Sequence, residues 1–164
     1  FNANKNIVGI VNATLNARRD YPDVELVLIG GSEEEFLNVT GMEKKPSWVN
    51  VVSYLDNKKE VSNWLRKSFV FSMPSFAETF GLVYLEALSQ GCNLICSKGE
   101  GVDGVVQGDY IEFVDPNDID FISGAILKYY NTDYPSIKKE EVSEFLNGFS
   151  WDQVAQKYIE AMRN

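Results

Sequence analysis

The sequence predicts an α/β fold built on a doubly wound parallel sheet, and three observations carry this prediction. Short apolar runs alternate along the chain with segments of helical periodicity. The runs at 26–29 and 69–73 are nearly continuous in apolar residues, which is typical of parallel strands covered on both faces. The runs end in turn-forming residues such as Gly30-Gly31 and Pro74-Ser75. A length of 164 residues fits one domain over 1–164.

The alternation predicts strands and helices in a definite order. The predicted strands are Val24 to Ile29, Val49 to Leu55, Phe69 to Met73, Leu94 to Cys96 and Tyr110 to Val114. The predicted helices are a first one around Ile7 to Leu15, then Val61 to Leu65, Gly81 to Gln90, Ile119 to Tyr129, Val142 to Phe145 and Trp151 to Met162. We expect Asn2 or Asn4 to cap the first helix and Tyr21-Pro22 to stop it.

The chain opens on a helix, whereas a Rossmann-like sheet normally opens on a strand that lies at the centre of the order 3-2-1-4-5-6. We therefore expect the chain to be a fragment of a longer protein and to lack its first strand, which would precede Phe1. The absence of that strand would leave two inner strand edges unpaired. A continuous sheet built only from residues 1–164 would contradict this expectation.

Composition excludes several function classes. The formal charge of -9, from 15 Lys plus Arg against 24 Asp plus Glu, argues against a nucleic-acid partner. The absence of His excludes the Ser-His-Asp triad and the common zinc sites, and no dense ligand cluster suggests a metal. Cys92 and Cys96 lie roughly 13 Å apart in extended chain, too far for a disulfide, which suits the cytoplasm. No apolar run is long enough for a spanning helix.

The segment from Pro74 to Gly91 is the most informative for chemistry. It combines the end of a buried strand, a short loop and a helix that begins near Phe80-Gly81. In a doubly wound sheet ligands bind at the carboxyl ends of the strands, and a helix N-terminus there favours phosphate. Gly81 allows a ligand to approach the backbone. Glu78 either points into this crevice or only stabilises the positive end of the helix dipole, as acidic residues at helix starts commonly do.

Glu86 follows Glu78 after seven intervening residues. It occupies a narrow polar sector of an otherwise apolar helix, together with Ser89 and Gln90. This sector is either a thin exposed stripe or a carboxylate facing the crevice, where its two oxygens suit a pair of sugar hydroxyls.

The order Pro-Ser, Glu78, Phe-Gly and Glu86 resembles the nucleotide-sugar half of retaining glycosyltransferases with two Rossmann-like domains, the GT-B type "glycosyl transferases group 1" family. The resemblance covers nearly the whole chain, from Asn4-Lys5-Asn6 to Phe149-Ser150-Trp151. One departure is Asn93, which stands where the family usually has Pro. The resemblance implies a C-terminal donor-binding lobe whose acceptor-binding N-terminal lobe is missing here. Any membrane association is expected through that missing lobe only.

The resemblance also implies roles for individual residues. Lys5 would pair with the donor diphosphate, although a solvated lysine at a helix start is the ordinary alternative. Glu86 would hold the ribose hydroxyls, and Glu78, the expected catalytic residue, would hold the hydroxyls of the transferred sugar. The distal phosphate and the sugar would contact the backbone of Thr79, Phe80, Gly81 and Leu82. No metal or other cofactor is required, and the nucleoside diphosphate sugar is the substrate.

A second glycine-containing motif in the chain suggests a different ligand. The segment 99–104 matches the alternating glycines of a dinucleotide fingerprint and follows a predicted strand. The fingerprint requires a full helix after it, but only one turn fits before Gly108 and the next strand. We interpret this segment as a glycine-rich wall of the crevice.

The expected function is hexose transfer from a nucleoside diphosphate sugar to an acceptor, with retention of configuration, in polysaccharide or glycoconjugate biosynthesis. Two other classes stay open: a nucleotide-sugar epimerase of the same architecture, and a non-catalytic Rossmann-like binding module. We expect the fragment alone to bind donor weakly and not to turn over.

Overall fold

The structure, a computed structural model, describes residues 1, 3–131 and 139–163. A 3-10 turn over Ala3–Lys5 precedes the first helix. The α-helices are α1 (Ile7–Ala17), α2 (Glu33–Thr40), α3 (Lys58–Lys67), α4 (Leu82–Ser89), α5 (Ile119–Tyr130), α6 (Lys139–Asn147) and α7 (Trp151–Ala161). The strands are β1 (Leu26–Ile29), β2 (Val49–Val52), β3 (Val70–Met73), β4 (Asn93–Ser97) and β5 (Ile111–Val114). This order confirms the predicted α/β fold.

The strands form two parallel sheets. β1 pairs with β2, with Leu26 opposite Val49, and the second sheet has the order β3-β4-β5. Within the described ranges no pairing joins β1 to β3, so the continuous sheet that would contradict the expected extra strand is not present. A strand placed between β1 and β3 would complete the order 3-2-1-4-5-6. The strand before Phe1 stays a prediction, because it lies outside this sequence.

β4 explains why helices cover both faces of the larger sheet. All five of its residues are buried, and alternate side chains belong to different cores. Leu94 and Cys96 pack in a cluster with α4, whereas Ile95 packs in a cluster with α1 and α5. The helices therefore lie on opposite faces, as a doubly wound sheet requires.

α1 contacts both sheets. Ala13 and Ala17 pack against the β4, β5 and α5 core, and small side chains there allow the close approach of α1 to α5. Ile7 and Val11 pack instead with Leu28 of β1 and with the smaller sheet. The beginning of α1 is thus held where the carboxyl ends of the strands meet.

Several sequence predictions need correction. The N-cap of α1 is Asn6, not Asn4, and Asn2 lies outside the described residues. α1 ends at Ala17, before the Tyr21-Pro22 expected to stop it. The second strand ends at Val52, whereas the sequence predicted that it would continue to Leu55. α2 was not predicted, although Ser32 and Glu35 form a capping box at its start.

Candidate functional site

The turn before α1 has an unusual backbone that begins the site. Asn6 adopts a left-handed conformation with φ 52°, and its side chain accepts a hydrogen bond from the Gly9 N–H at 3.2 Å. The same buried side chain donates to the Pro116 carbonyl, which follows β5, at 2.7 Å. A Cβ at Gly9 would lie 2.4 Å from Asn6 Oδ1, so the cap requires glycine there. The turn is therefore fixed against the end of β5.

Asn4 fixes the same turn against the loop after β3. Its Nδ2 donates to the Ala77 carbonyl at 2.7 Å, and its Oδ1 accepts from the Ala77 N–H at 2.9 Å. The Asn4 backbone carbonyl accepts from the Phe76 N–H at 2.9 Å. An amide side chain satisfies both backbone groups of one residue because it carries a donor and an acceptor. This arrangement sets the position of the residues on either side, Lys5 and Glu78.

Lys5 and Glu78 form the charged centre of the site. Lys5 Nζ lies 2.6 Å from Glu78 Oε2, and the exposed fractions of the side chains are 37% and 15%. Lys5 ends the turn before α1 and Glu78 lies in the loop before α4, so two elements at the carboxyl edge supply the pair. A charge-assisted hydrogen bond of this kind holds both groups in one geometry.

The segment 99–104 forms the opposite wall of the site. The Glu78 N–H donates to Glu100 Oε2 at 2.9 Å, and the Gly101 N–H donates to the Glu78 carbonyl at 2.9 Å. Gly101 has φ 60°, and a Cβ there would lie 3.1 Å from the Phe80 carbonyl oxygen. Turns rather than a helix connect β4 to β5, as expected from the short spacing that argued against a dinucleotide fingerprint.

α4 presents its N-terminus beside this loop. Its N-cap Gly81 has φ 76° and makes no side-chain capping hydrogen bond, so the first N–H groups of α4 are not capped by Gly81. A Cβ at Gly81 would lie 2.4 Å from Tyr84 Cε2. The Tyr84 hydroxyl donates to the Met73 carbonyl at 2.7 Å, and burial raises the pKa of that hydroxyl. Tyr84 thereby ties α4 to the end of β3 as a neutral donor.

These elements enclose an open cavity of about 470 Å³ at the carboxyl edge. Its lining residues are Asn4, Lys5, Ala77, Glu78, Thr79 and Glu100. Three of the residues expected from the sequence, Lys5, Glu78 and Thr79, are therefore brought together. The lining also contains Asn4, which the sequence suggested only as a helix cap, and Glu100, which it placed only within the glycine-rich wall 99–104.

The other expected site residues lie further along the chain. Phe80 and Gly81 connect the cavity to α4, and the Phe80 ring packs against Phe149 at 5.8 Å. Leu82 and Glu86 are one turn apart on the exposed face of α4, and neither lines the cavity. The structure therefore shows Glu86 exposed to solvent outside the cavity and does not bring it together with Lys5 and Glu78.

Over residues 1, 3–131 and 139–163, no group of three or more Cys, Asp or Glu side chains is placed to hold a metal ion. No helix in this part of the chain is long and apolar enough to cross a membrane.

Comparison with known proteins places this chain in a family. The family model "Glycosyl transferases group 1" matches residues 1–145. The chain is 30% identical over 167 aligned residues to the O-antigen chain mannosyltransferase B of Escherichia coli, covering 97% of this chain and 42% of that protein. It is 32% identical over 98 residues to a D-inositol 3-phosphate glycosyltransferase of Pseudarthrobacter chlorophenolicus, covering 57% of this chain and 23% of that protein. The chain thus spans less than half the length of these curated relatives.

Solved structures show the same fold at low identity. The C-terminal domain of a glycosyl transferase group 1 family protein from Francisella tularensis superposes with a TM-score of 0.65 at 22% identity, covering 96% of this chain and 82% of that one. An α,α-trehalose 6-phosphate synthase from Burkholderia multivorans gives a TM-score of 0.74 at 14% identity, covering 99% of this chain and 40% of that one.

Proposed function

Because the chain belongs to the glycosyl transferases group 1 family, we propose that it is the donor-binding domain of a retaining glycosyltransferase. In this proposal it binds a nucleoside diphosphate hexose, and an acceptor bound outside this domain receives the hexose. The observation that carries the proposal is the Lys5–Glu78 pair at 2.6 Å in a cavity beside the N-terminus of α4. A cation and a helix N-terminus suit the diphosphate of such a donor, and a carboxylate beside them suits the hydroxyls of its sugar.

The proposed chemistry is stabilisation of charge on the departing diphosphate. As the bond to the sugar breaks, negative charge grows on the distal phosphate, and preorganised dipoles and cations lower the barrier most when they point at that charge. The backbone from Thr79 to Leu82 and the N-terminus of α4 would supply the dipoles. Lys5 would supply the cation. We infer that no metal is required, because Lys5 and the backbone N–H groups would already stabilise the negative charge of the diphosphate.

Glu78 and Glu86 would divide the polar recognition of the donor. Glu78, held beside Lys5 and largely shielded from solvent, would orient the hydroxyls of the transferred sugar. We favour orientation over nucleophilic attack, because the Lys5 ammonium is bonded to Glu78 Oε2 at 2.6 Å and a paired carboxylate oxygen is a weaker nucleophile. Glu86, exposed on α4, would accept the two ribose hydroxyls with its two oxygens.

We place the reaction in polysaccharide or glycoconjugate biosynthesis, and the mannosyltransferase of O-antigen chains among the relatives supports that setting. We propose a cytoplasmic location, because both cysteines are buried and neither forms a disulfide.

The proposal is tested by donor binding and turnover in the full natural protein that carries this chain. A panel of UDP, GDP and their sugar derivatives is screened by thermal shift, and hits are measured by calorimetry. We expect one nucleoside diphosphate sugar to stabilise the protein and to be consumed only with an acceptor, and the product to keep the donor's anomeric configuration. Sugar conversion without an acceptor would point to an epimerase, and binding without any reaction to a non-catalytic module.

A further inference from the structure

Glu100 is the one anionic side chain of the cavity to which the proposed mechanism gives no task. Its Oε2 accepts a hydrogen bond from the Glu78 N–H at 2.9 Å, so its carboxylate lies directly beside the residue proposed to orient the sugar. Glu100 is half-buried and lines the same cavity as Lys5 and Glu78. Its position is therefore part of the site and not of the free surface.

The backbone around Glu100 is held on both sides. The Gly101 N–H donates to the Glu78 carbonyl at 2.9 Å, and the left-handed φ of 60° at Gly101 lets the two loops approach closely. Val102 and Val106 are completely buried and anchor the segment in the core. The backbone of Glu100 is therefore fixed beside Glu78, and its carboxylate can turn away only by breaking its own bond to the Glu78 N–H.

The charges of the cavity are unequal. Among its lining residues Lys5 is the only cation, whereas Glu78 and Glu100 are both anions. The Lys5 ammonium is already bonded to Glu78 Oε2 at 2.6 Å. A carboxylate offers about four acceptor positions, and the Glu78 N–H uses one of those on Glu100. The remaining positions favour a ligand that donates hydroxyl groups and repel one that carries a carboxylate.

We propose that Glu100 is a specificity-determining residue that restricts the transferred sugar to neutral, hydroxyl-bearing hexoses and rejects uronates. This inference rests on the proposed donor-binding function. It deepens that function because it names the class of sugar that the cavity takes and the residue that makes the choice.

The test compares matched donors in the full natural protein. UDP-glucose is paired with UDP-glucuronate, and GDP-mannose with GDP-mannuronate, and the affinity ratio of neutral to uronate sugar is measured by calorimetry for the pair whose nucleotide binds. The wild type should prefer the neutral sugar. Glu100→Gln should reduce that preference by about tenfold, the scale of one screened charge contact. Glu100→Asp keeps the charge and should keep most of the preference.

Glu25→Gln is the matched control, because it removes the same charge from an exposed residue before β1, at the opposite end of the strands. Its affinity ratio should equal that of the wild type.

Three results would overturn the role of Glu100 while donor binding stands. The wild type could show no preference, Glu100→Gln could keep the wild-type ratio, or Glu100→Asp could have the same ratio as Glu100→Gln. If the wild type binds none of the nucleotides or donors, the proposed function itself fails and this role fails with it. Melting curves verify that each variant is folded.

Discussion

Lys5 Nζ and Glu78 Oε2 lie 2.6 Å apart, although 73 positions separate the two residues in the chain. The contact depends on Asn4 and Ala77, which bond to each other immediately before the two charged residues. The ion pair is therefore positioned by neutral hydrogen bonds of the Asn4 amide and does not have to hold the loops together. We expect the ion pair to contribute more to ligand binding than to the free energy of unfolding.

The first prediction concerns the energy of this pair. Lys5 is more than one third exposed, so solvent screens the interaction, and we expect a coupling of about 0.2–1 kcal/mol between Lys5→Met and Glu78→Gln. Urea unfolding of the wild type, both single variants and the double variant measures it as a double-mutant cycle. A coupling above about 3 kcal/mol, as for buried pairs, would show instead that the ion pair itself holds the two loops together.

The second prediction separates the two glutamates. Glu78→Ala should abolish transfer while nucleotide binding is spared, because Glu78 would contact only the sugar. Glu86→Ala should weaken binding of the nucleotide itself, because it would lose the ribose contact. Calorimetry with UDP and GDP, together with a transfer assay, measures both effects in the full natural protein. Equal losses of nucleotide affinity in the two variants would refute this division of roles.

The third prediction concerns the Asn4 clamp. Asn4→Ala removes two hydrogen bonds to Ala77, and since Ala77 is exposed to water the cost in unfolding free energy should be about 1–2 kcal/mol. Asn4→Asp keeps an acceptor for the Ala77 N–H but places an oxygen against the Ala77 carbonyl. It should therefore be no better than Asn4→Ala. Urea unfolding decides the matter, and an Asp variant as stable as the wild type would show that the amide donor is unimportant.

The elements that the sequence predicted correctly are those with strong local signals. β1 and β3 are nearly continuous apolar runs, and α4 and α5 carry clear helical patterns bounded by turns. α2 was missed, although the Ser32 and Glu35 capping box at its start was a readable signal in the sequence. The Asn6 cap was assigned to the wrong asparagine because three lie close together and the deciding contact, with Pro116, is distant in the chain.

In the site, too, features with a local sequence signal were predicted, and features set by distant contacts were not. The sequence placed Glu78 and the glycine-rich segment 99–104 at a common edge, since both follow predicted strands. It did not predict that Glu100 would bond to the Glu78 backbone, because that contact depends on the left-handed conformation of Gly101 and on the packing of Val102. Contacts of this kind are set by the tertiary structure and leave no local pattern.

The fourth prediction concerns the conformation of Asn6. Asn6→Ala loses the cap on Gly9 and the bond to Pro116 and forces a Cβ-bearing residue without a local hydrogen bond into a left-handed conformation. Asn6→Gly loses the same bonds without that strain, which is about 1–2 kcal/mol for an L-residue. We expect both variants to be less stable than the wild type, and the Ala variant to be less stable than the Gly variant by about 1 kcal/mol. Chemical unfolding ranks them, and an Ala variant at least as stable as Gly would contradict the strain argument.

The fifth prediction concerns pH and the Cys96 thiol. Cys96 is completely buried, and this burial raises the pKa of its thiol above the usual value near 8.5. The native thiol therefore stays protonated at pH 9, whereas the thiol of the unfolded chain ionises. Above pH ~8.5 the unfolded state binds fewer protons than the native state, so the contribution of Cys96 to stability must fall as pH rises, by up to about 1.4 kcal/mol per pH unit.

Two measurements check this prediction, unfolding by urea from pH 7 to pH 9.5 and reaction with a thiol-specific disulfide reagent. The wild type should lose stability with rising pH more steeply than Cys96→Ala, which serves as the matched control because Ala also fits a buried position. Tyrosines of the unfolded chain begin to ionise below pH ~10, but they contribute equally to both slopes because the two proteins carry the same tyrosines. The native Cys96 should also be unreactive until urea unfolds the chain. Parallel pH slopes in the two proteins, or rapid modification of the native thiol at pH 8, would show that Cys96 is not shielded as the structure places it.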